Sequence, residues 1–166
     1  MTRIKTITFL QLLLWLCTSF VNPNSPLREA GMGRVVKIVD GDTYDILIDG
    51  IQTRVRMEGI DAPEKGQAYY QVSKDYLGQL CDGQTVRLES KGKDRYGRTL
   101  AKSFLAGGRE VGAEMIKAGM AWHYKKYSDD SELARMETEA RQARKGLWAD
   151  TNPMAPWDYR SMKRAK

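Results

Sequence analysis

The 166-residue sequence predicts an α+β fold, in which a five-stranded β-barrel of the OB type is accompanied by about three helices. Three features lead to this prediction. Short segments rich in β-branched residues precede the main helices, an Asp-Gly pair separates two of them, and a helical stretch falls between the third strand and the fourth. That order of elements is typical of an OB barrel, and the chain length suits one domain.

The first three strands are predicted from residue type and alternation. Residues 34–39 are mostly β-branched and suit a strand. Segments 44–48 and 51–57 alternate on either side of Asp49-Gly50. This pair favours a type I′ hairpin turn, because both central residues of that turn need positive φ.

The remaining elements follow from helical spacing and from stop signals. Helices are predicted over residues 67–80, 110–118 and 128–145, and further strands around 86–88 and over 100–105, with a polar loop at 91–98 between them. Ser128 or Asp129 is expected to cap the third helix. The first helix is expected to turn every fourth residue toward the core, namely Ala68, Val72, Tyr76 and Leu80.

The N-terminal segment, residues 1–19, has the order of a secretory signal: a positive start, an apolar stretch of about a dozen residues, and small polar residues. We therefore expect cleavage near Ser19 and a secreted or periplasmic protein. An uncleaved membrane anchor is the alternative. Residues 20–32 are then a linker, residues 33–149 the barrel domain, and residues 150–166 a loosely packed basic tail.

Composition excludes several kinds of catalytic site. The chain has one histidine, His123, and two cysteines, Cys17 and Cys81, which excludes zinc sites of four cysteines, two-histidine hydrolases and a disulfide framework. The formal net charge of +6 favours polyanionic partners such as nucleic acid, with ordinary solubility as the alternative. Catalysis must therefore use carboxylates, other polar side chains or a hard metal.

Two segments concentrate residues that carry chemistry. Residues 40–43, Asp-Gly-Asp-Thr, lie between strands one and two, and residues 56–64 leave strand three. Continuing the hairpin register from its turn places Thr43 opposite Arg56. Both segments are therefore expected at one mouth of the barrel.

Carboxylates that converge in this way repel one another unless a positive charge lies among them. A hard divalent cation with oxygen ligands meets that need. Asp42 and Asp61 are the candidate ligands, completed by a backbone carbonyl such as that of Ala62 and by water. The pattern suits Ca²⁺ or Mg²⁺ and leaves that choice open, and a plain turn at residues 40–43 is the alternative.

Glu64 and Arg56 are candidates for roles beside the metal. A carboxylate that is near a metal but not bound to it can orient or deprotonate a water molecule. A planar guanidinium suits a phosphate. The alternative for both residues is a surface ion pair.

A third segment, residues 94–98, sets Arg95 and Arg98 around the aromatic side chain of Tyr96, with a glycine for a tight turn. Basic and aromatic groups in this arrangement suit contact with a phosphate and a base or sugar. A basic loop without function is the alternative.

In order and spacing, residues 40–43, 56–64 and 94–98 closely resemble the signatures of the micrococcal (staphylococcal) nuclease family, and the resemblance extends over residues 33–148. It implies a nuclease-like OB barrel with three helices. It also implies a phosphodiesterase that needs one Ca²⁺ ion, hydrolyses DNA and RNA without strong sequence specificity and leaves 3′-phosphates. Single-stranded substrates are expected to be preferred, and the protein is expected to be a monomer without an obligate protein partner.

The resemblance also assigns a role to each candidate position. In chain order it implies supporting roles for Asp40 and Thr43, metal binding by Asp42, Asp61 and the Ala62 carbonyl, phosphate contact by Arg56 and Arg98, water orientation by Glu64, and substrate binding by Arg95, Tyr96, Tyr124 and Tyr127. Three positions depart from the family pattern. Ala62 replaces a threonine, which preserves a carbonyl ligand, Arg95 replaces a lysine, which retains the charge, and Ser103 replaces an apolar strand residue, which concerns packing.

The alternative function is a non-catalytic OB module that binds single strands through a basic groove and aromatic residues. Such a module does not need the carboxylates and arginines of a nuclease. All of them are present here, which favours the enzyme. His123 is expected to be a packed or surface residue without a catalytic role.

Overall fold

The computed structural model describes residues 30–165, so the predicted signal segment at residues 1–19 lies outside the described residues. The elements are, in chain order, β1 (Ala30–Ile38), β2 (Thr43–Ile48), β3 (Ile51–Met57), β4 (Ile60–Asp61), α1 (Tyr70–Cys81), β5 (Thr85–Lys93), β6 (Thr99–Phe104), α2 (Val111–Lys117), β7 (Trp122–His123), α3 (Ser131–Gln142), a 3₁₀ turn (Gly146–Ala149) and α4 (Pro156–Arg164).

Five of these strands close a barrel in the order β1-β2-β3-β6-β5. The β3–β6 ladder is parallel, and the other ladders of the barrel are antiparallel. β4 and β7 form a separate two-stranded sheet. The predicted α+β fold with a five-stranded OB-type barrel is confirmed.

The hairpin between β2 and β3 has the geometry that its turn residues predict. Asp49 has a φ of 47° and Gly50 a φ of 81°, both in the left-handed region that a type I′ turn requires. The register that follows from this turn sets Thr43 directly opposite Arg56. The hairpin therefore brings the residues that follow β1 next to the end of β3.

Two strands extend beyond their predicted bounds. β1 begins at Ala30, inside the predicted linker, because its first residues pair with β5. β5 continues to Lys93, inside the predicted polar loop, and a register shift after Ser90 lets Lys93 pair with Thr99. In both places, pairing with a neighbouring strand extends the strand over residues whose own types do not favour it.

α1 buries a different face from the one that its spacing predicts. Its buried residues are Ser73, Leu77 and Cys81. The Ser73 hydroxyl donates a hydrogen bond to the Met120 carbonyl (2.8 Å), and the Cys81 thiol donates to the Leu77 carbonyl, so neither polar group is buried without a partner. The predicted stripe is wrong: Ala68 and Val72 are exposed, and Tyr76 and Leu80 are only partly buried.

α3 is capped by Asp130, and the prediction of Ser128 or Asp129 is wrong. The Asp130 carboxylate accepts hydrogen bonds from the backbone N–H groups of Glu132 (3.0 Å) and Leu133 (3.2 Å). The helix ends at Gln142, three residues before its predicted end.

The C-terminal residues form a fourth helix, α4, and the prediction of a loosely packed tail is wrong. Ala155 and Pro156 are buried at its start. Its first turn carries Asp158 and its last turn Lys163 and Arg164, charges that complement the helix dipole. No helix within residues 30–165 has the length and apolar character needed to cross a membrane.

The barrel interior and a smaller cluster beneath α3 hold the buried apolar residues. In the barrel, the hydroxyl groups of Tyr44 and Ser103 lie 2.6 Å apart and form a hydrogen bond. This bond explains why a polar residue stands at position 103, since it satisfies the buried phenol of Tyr44. The smaller cluster comprises Trp122, Ala140, Leu147, Trp148 and Ala155.

Candidate active site

Arg56 lies between the two predicted metal-binding carboxylates. Its Nη2 atom lies 3.0 Å from Oδ2 of Asp42 and 3.0 Å from Oδ1 of Asp61. These two carboxylate oxygens are therefore separated by no more than twice that distance. Both acidic side chains are almost completely buried, with 8% and 3% of their surface exposed. The predicted convergence of the two segments at one mouth of the barrel is confirmed.

The position of Asp42 is fixed by three hydrogen bonds, two that its carboxylate accepts and one that its backbone donates. Its Oδ2 accepts from the backbone N–H of Ala62 (2.8 Å), and its Oδ1 accepts from the Thr43 hydroxyl (2.9 Å). The backbone N–H of Asp42 donates to Oδ1 of Asp40 (3.1 Å). Burial, together with the charge of Asp42, raises the pKa of Asp40 to about 7. Negative charge is thus crowded in this turn.

Gly41 lets the turn pack closely against α1. A Cβ atom at this position would lie 2.0 Å from the Ser73 hydroxyl oxygen and 2.8 Å from Cβ of Ala62. The glycine is therefore required by close packing at the floor of the site.

Asp61 lies on β4 and is shared by two arginines. In addition to Arg56, Arg160 donates to Oδ2 (2.8 Å) and to Oδ1 (3.2 Å) of this carboxylate. Burial raises the pKa of Asp61, and the hydrogen bonds from Arg160 oppose that shift. Arg160 comes from α4, and the sequence analysis did not predict it as a site residue.

Glu64 lies at the edge of the site with 39% of its side chain exposed. Its backbone N–H donates to the side-chain carbonyl of Gln67 (3.0 Å), and Gln67 in turn donates to the Met154 carbonyl. Its Oε1 accepts a hydrogen bond from Nη1 of Arg160 (2.5 Å). Within residues 30–165 Arg160 is the hydrogen-bonding partner of this carboxylate, and it links Glu64 to Asp61.

Arg98 pairs with an acidic neighbour in its own loop, Asp94. Its Nε and Nη2 atoms lie 2.8 Å and 2.7 Å from Oδ2 of Asp94. Within the described part of the chain, no hydrogen bond or ion pair joins Arg98 to Asp42, Asp61 or Glu64.

Arg98 lines an open cavity of about 470 Å³ together with Asp45, Gln52, Arg54, Tyr96 and Gly97. Arg54 and Arg56 are two residues apart on β3 and lie on one face of the strand, so the cavity lies on the face that also bears Arg56. Arg95 donates to the Tyr96 hydroxyl (2.6 Å), and 68% of Tyr96 is exposed. Basic and aromatic groups therefore lie together beside the site, and their contact with substrate stays a prediction.

The two tyrosines predicted to bind substrate form an aromatic group with α4. Trp157 stacks on Tyr124 with ring centroids 5.3 Å apart and planes within 3° of parallel. The ring of Tyr127 forms a T-shaped contact with the ring of Tyr124, with centroids 4.8 Å apart, and Tyr127 is 67% exposed. Trp157 thus covers one face of Tyr124, whereas Tyr127 offers an open surface.

His123 is buried, so of the two positions expected for it, packed or at the surface, the structure shows the packed one. Its Nε2 lies 3.1 Å from the Ser128 hydroxyl, and its backbone N–H donates to Glu137 (3.2 Å). Burial lowers the pKa of His123, which favours a neutral ring. Within residues 30–165 its ring makes no hydrogen bond to a predicted site residue.

The donor set suits a hard cation completed by backbone and solvent oxygens. Within residues 30–165 no group of three or more histidine, cysteine, aspartate or glutamate side chains is arranged to hold a metal. Asp42 and Asp61 supply two carboxylates, and Oδ1 of Asp42 and Oδ2 of Asp61 each accept a single hydrogen bond, which leaves them acceptor capacity for a cation. The carboxylates of Asp42, Asp61 and Glu64 face two guanidinium groups, those of Arg56 and Arg160. A divalent cation would balance this excess of negative charge.

Comparison with known proteins agrees with this geometry. The sequence profile described as "Staphylococcal nuclease homologue" matches residues 54–150. A protein named "Uncharacterized endonuclease" from Escherichia coli O157:H7 is 41% identical over 79% of this chain and 86% of its own length. A second protein of that name, from Haemophilus influenzae, is 46% identical over 82% of this chain and 77% of its own length.

A third relative, named "Micrococcal nuclease", comes from Shigella flexneri. It is 41% identical over 77% of this chain and 79% of its own length. The profile match covers more than half of the chain, and the relatives are matched over most of their length. These relatives support a nuclease function with nucleic acid as the substrate. The chain belongs to the staphylococcal nuclease family.

Proposed function

We propose that this protein is a calcium-dependent endonuclease that hydrolyses phosphodiester bonds of DNA and RNA without strong sequence specificity and leaves 3′-phosphates. One observation carries the proposal: Asp42 and Asp61, from separate segments, converge on a single nitrogen of Arg56 at the mouth of the barrel. Buried carboxylates that meet in this way are typical of a cation-binding site when a polyanionic substrate must be held.

Asp42, Asp61 and the carbonyl of Ala62 are the groups that would hold the ion. When bound, the ion supplies positive charge that lowers the cost of negative charge on the phosphate in the transition state. Asp40 and Thr43 support this set, since both hydrogen-bond to Asp42. The preference for Ca²⁺ over Mg²⁺ rests on membership of the family.

Glu64 is proposed to orient the attacking water and to accept its proton. Its Oε1 is engaged by Arg160, so Oε2 is the oxygen that faces the water in this proposal. A positioned carboxylate of this kind contributes about 10²–10⁴ to the rate. The partial exposure of Glu64 leaves it accessible to solvent and substrate.

The arginines are proposed to meet the phosphate oxygens. Nη1 of Arg56 already donates to the carbonyls of Met57 (2.6 Å) and Ile60 (2.8 Å), which fixes the plane of the guanidinium. Arg98 would exchange its Asp94 partner for the substrate, and it adds positive charge to a transition state that carries more negative charge than the ground state. Arg95, Tyr96 and the exposed ring of Tyr127 would contact the rest of the strand.

A non-catalytic module that binds single strands is the alternative function. Such a module needs no buried carboxylates beside a basic surface, because carboxylates repel the phosphate backbone. The relatives named as endonucleases also favour the enzyme.

Export is proposed from residues 1–19, which have the charge and apolar order of a secretory signal. N-terminal sequencing of the protein recovered from outside the cytoplasm should find a chain that starts near residue 20. A product that still begins at Met1 and is attached to the membrane would support the anchor instead.

The proposed activity is tested by incubating the purified protein with single-stranded DNA, duplex DNA and RNA in Ca²⁺, in Mg²⁺ and in excess chelator. Cleavage is expected with Ca²⁺, fastest on single strands, and the product ends should lose phosphate to a 3′-phosphatase. Binding of the strands without cleavage in any metal would support the alternative module. Undiminished cleavage in excess chelator would exclude the metal site.

A further inference from the structure

We propose that Arg160, supplied by the C-terminal helix α4, is a positioning residue that holds the Glu64 carboxylate in its working orientation. This inference deepens the proposed function and rests on it. Nη1 of Arg160 lies 2.5 Å from Oε1 of Glu64, and its two terminal nitrogens both donate to Asp61. One guanidinium therefore connects the water-orienting carboxylate to a carboxylate of the metal site.

Glu64 needs such a partner because nothing else in residues 30–165 fixes its carboxylate. The backbone of Glu64 is anchored through Gln67, but its side chain is partly exposed and has rotamer freedom of its own. Asp61, by contrast, is almost fully buried and does not depend on Glu64 for its position. The planar guanidinium of Arg160 hydrogen-bonds to the buried carboxylate of Asp61 and to the partly exposed carboxylate of Glu64. Because Asp61 is fixed by burial, this shared partner restricts the orientation of Glu64.

α4 is itself held on the site by contacts at several points. The stack of Trp157 on Tyr124 fixes the first turn of the helix, and the buried Ala155 precedes it. Near its end, Nζ of Lys163 donates to the carbonyl of Lys65, the residue that follows Glu64 (3.3 Å). Arg160 thus emerges from a docked helix, and about two thirds of its side-chain surface is covered.

α4 lies beyond the segment that the family profile matches, which ends at residue 150. Asp61 and Glu64 lie within the matched segment, whereas Arg160, like Asp42, lies outside it.

The test is a kinetic double-mutant cycle in the full chain, with Arg160→Gln, Glu64→Gln and the double variant, and with kcat and KM measured on single-stranded DNA in Ca²⁺. Because Arg160 touches carboxylates and not substrate, Arg160→Gln should lower kcat by about 10- to 100-fold and leave KM nearly unchanged. In the Glu64→Gln background the same substitution should cost nothing further, since residues that act as a unit are not additive.

Two controls separate positioning from folding. Arg160→Lys retains one charged donor and should recover part of the lost kcat, even if Arg160→Gln folds poorly. Arg164→Gln, on the same helix with an exposed side chain bonded to Ser161, should behave like the parent.

The outcomes distinguish this proposal from the proposed function. A parent chain without cleavage in Ca²⁺ would overturn both. An active parent whose Arg160→Gln variant loses the same factor with and without Glu64 would overturn the positioning role alone. So would an Arg160→Gln variant that binds Ca²⁺ more tightly by calorimetry and turns over as fast as the parent, since Arg160 would then only compete with the cation.

Discussion

Nη2 of Arg56 donates a hydrogen bond to Oδ1 of Asp61 over 3.0 Å, in a position where only 12% of the arginine side chain is exposed. The same guanidinium donates to the carbonyls of Met57 and Ile60, so it holds the bend between β3 and β4. Arg56 is therefore part of the architecture of the site as well as a candidate for contact with phosphate.

Replacement of Arg56 should destabilise the protein as well as inactivate it. Arg56→Gln leaves two buried carboxylates without their shared partner, and breaking a buried ion pair on one side costs about 3–5 kcal/mol. Urea denaturation of the metal-free protein measures this loss. Arg135→Gln, which removes an exposed pairing with Glu132 and Glu139, is the control and should change the free energy of unfolding little. Equal effects of the two substitutions would contradict the structural role.

The hydroxyl pair inside the barrel predicts a non-additive effect on stability. Ser103→Ala leaves the buried phenol of Tyr44 unsatisfied and should cost about 1–3 kcal/mol. Tyr44→Phe in addition removes the orphaned hydroxyl, so the double variant should be at least as stable as Ser103→Ala. Thermal unfolding of the three variants checks this. A double variant less stable than Ser103→Ala by the full cost of Tyr44→Phe would show that the hydrogen bond is unimportant.

The parts of the fold that follow from local turn chemistry could be predicted from the sequence. Positive φ at Asp49 and Gly50 fixes the hairpin, and the hairpin register alone brings Thr43 opposite Arg56. The convergence of the carboxylates follows from that register. These features depend on a few neighbouring residues, which is why the pattern was sufficient.

The parts that depend on distant partners could not be predicted in this way. A period of four fits two adjacent faces of α1, and the buried face contains Ser73, whose hydroxyl donates to the distant Met120 carbonyl. Arg160 is separated from Glu64 by 96 residues, and its tail has few apolar residues. The helical spacing of Trp157, Arg160 and Arg164 was the one available signal for this helix. The spacing does not say which surface of the protein the helix packs against.

Acid should lower the stability of the folded protein through protonation of Asp45. Hydrogen bonds from Arg54, with a further one from Gln52, hold the pKa of this buried carboxyl below its usual value. Its contribution to stability is therefore complete above the unfolded-state pKa of about 3.9 and is lost as the pH falls through the lower folded-state value.

The corresponding measurement is the difference in melting temperature between the parent and Asp45→Asn as a function of pH. The parent should be more stable at neutral pH, and the difference should begin to shrink only below about pH 5. A difference that stays constant down to pH 2 would contradict the shifted pKa of Asp45.

His123 should matter for stability and not for turnover. Its ring is buried and hydrogen-bonds to Ser128, and within residues 30–165 it makes no hydrogen bond to a proposed catalytic group. His123→Ala should lower the melting temperature because it leaves a cavity and removes the hydrogen bond to the Ser128 hydroxyl. Its kcat, measured well below that melting temperature, should stay close to that of the parent. A loss of kcat as large as that of Glu64→Gln would give the histidine a place in the chemistry.

The central claim, that a water-orienting carboxylate beside a metal site performs hydrolysis here, is tested most directly by the turnover of Glu64→Gln on single-stranded DNA in saturating Ca²⁺. Glutamine preserves the shape of the side chain and removes its charge, and the residue lies at the edge of the site, so the melting temperature should stay near that of the parent. The account predicts a fall in kcat of about 10²–10⁴ in a folded protein. Turnover close to the parental value would contradict it.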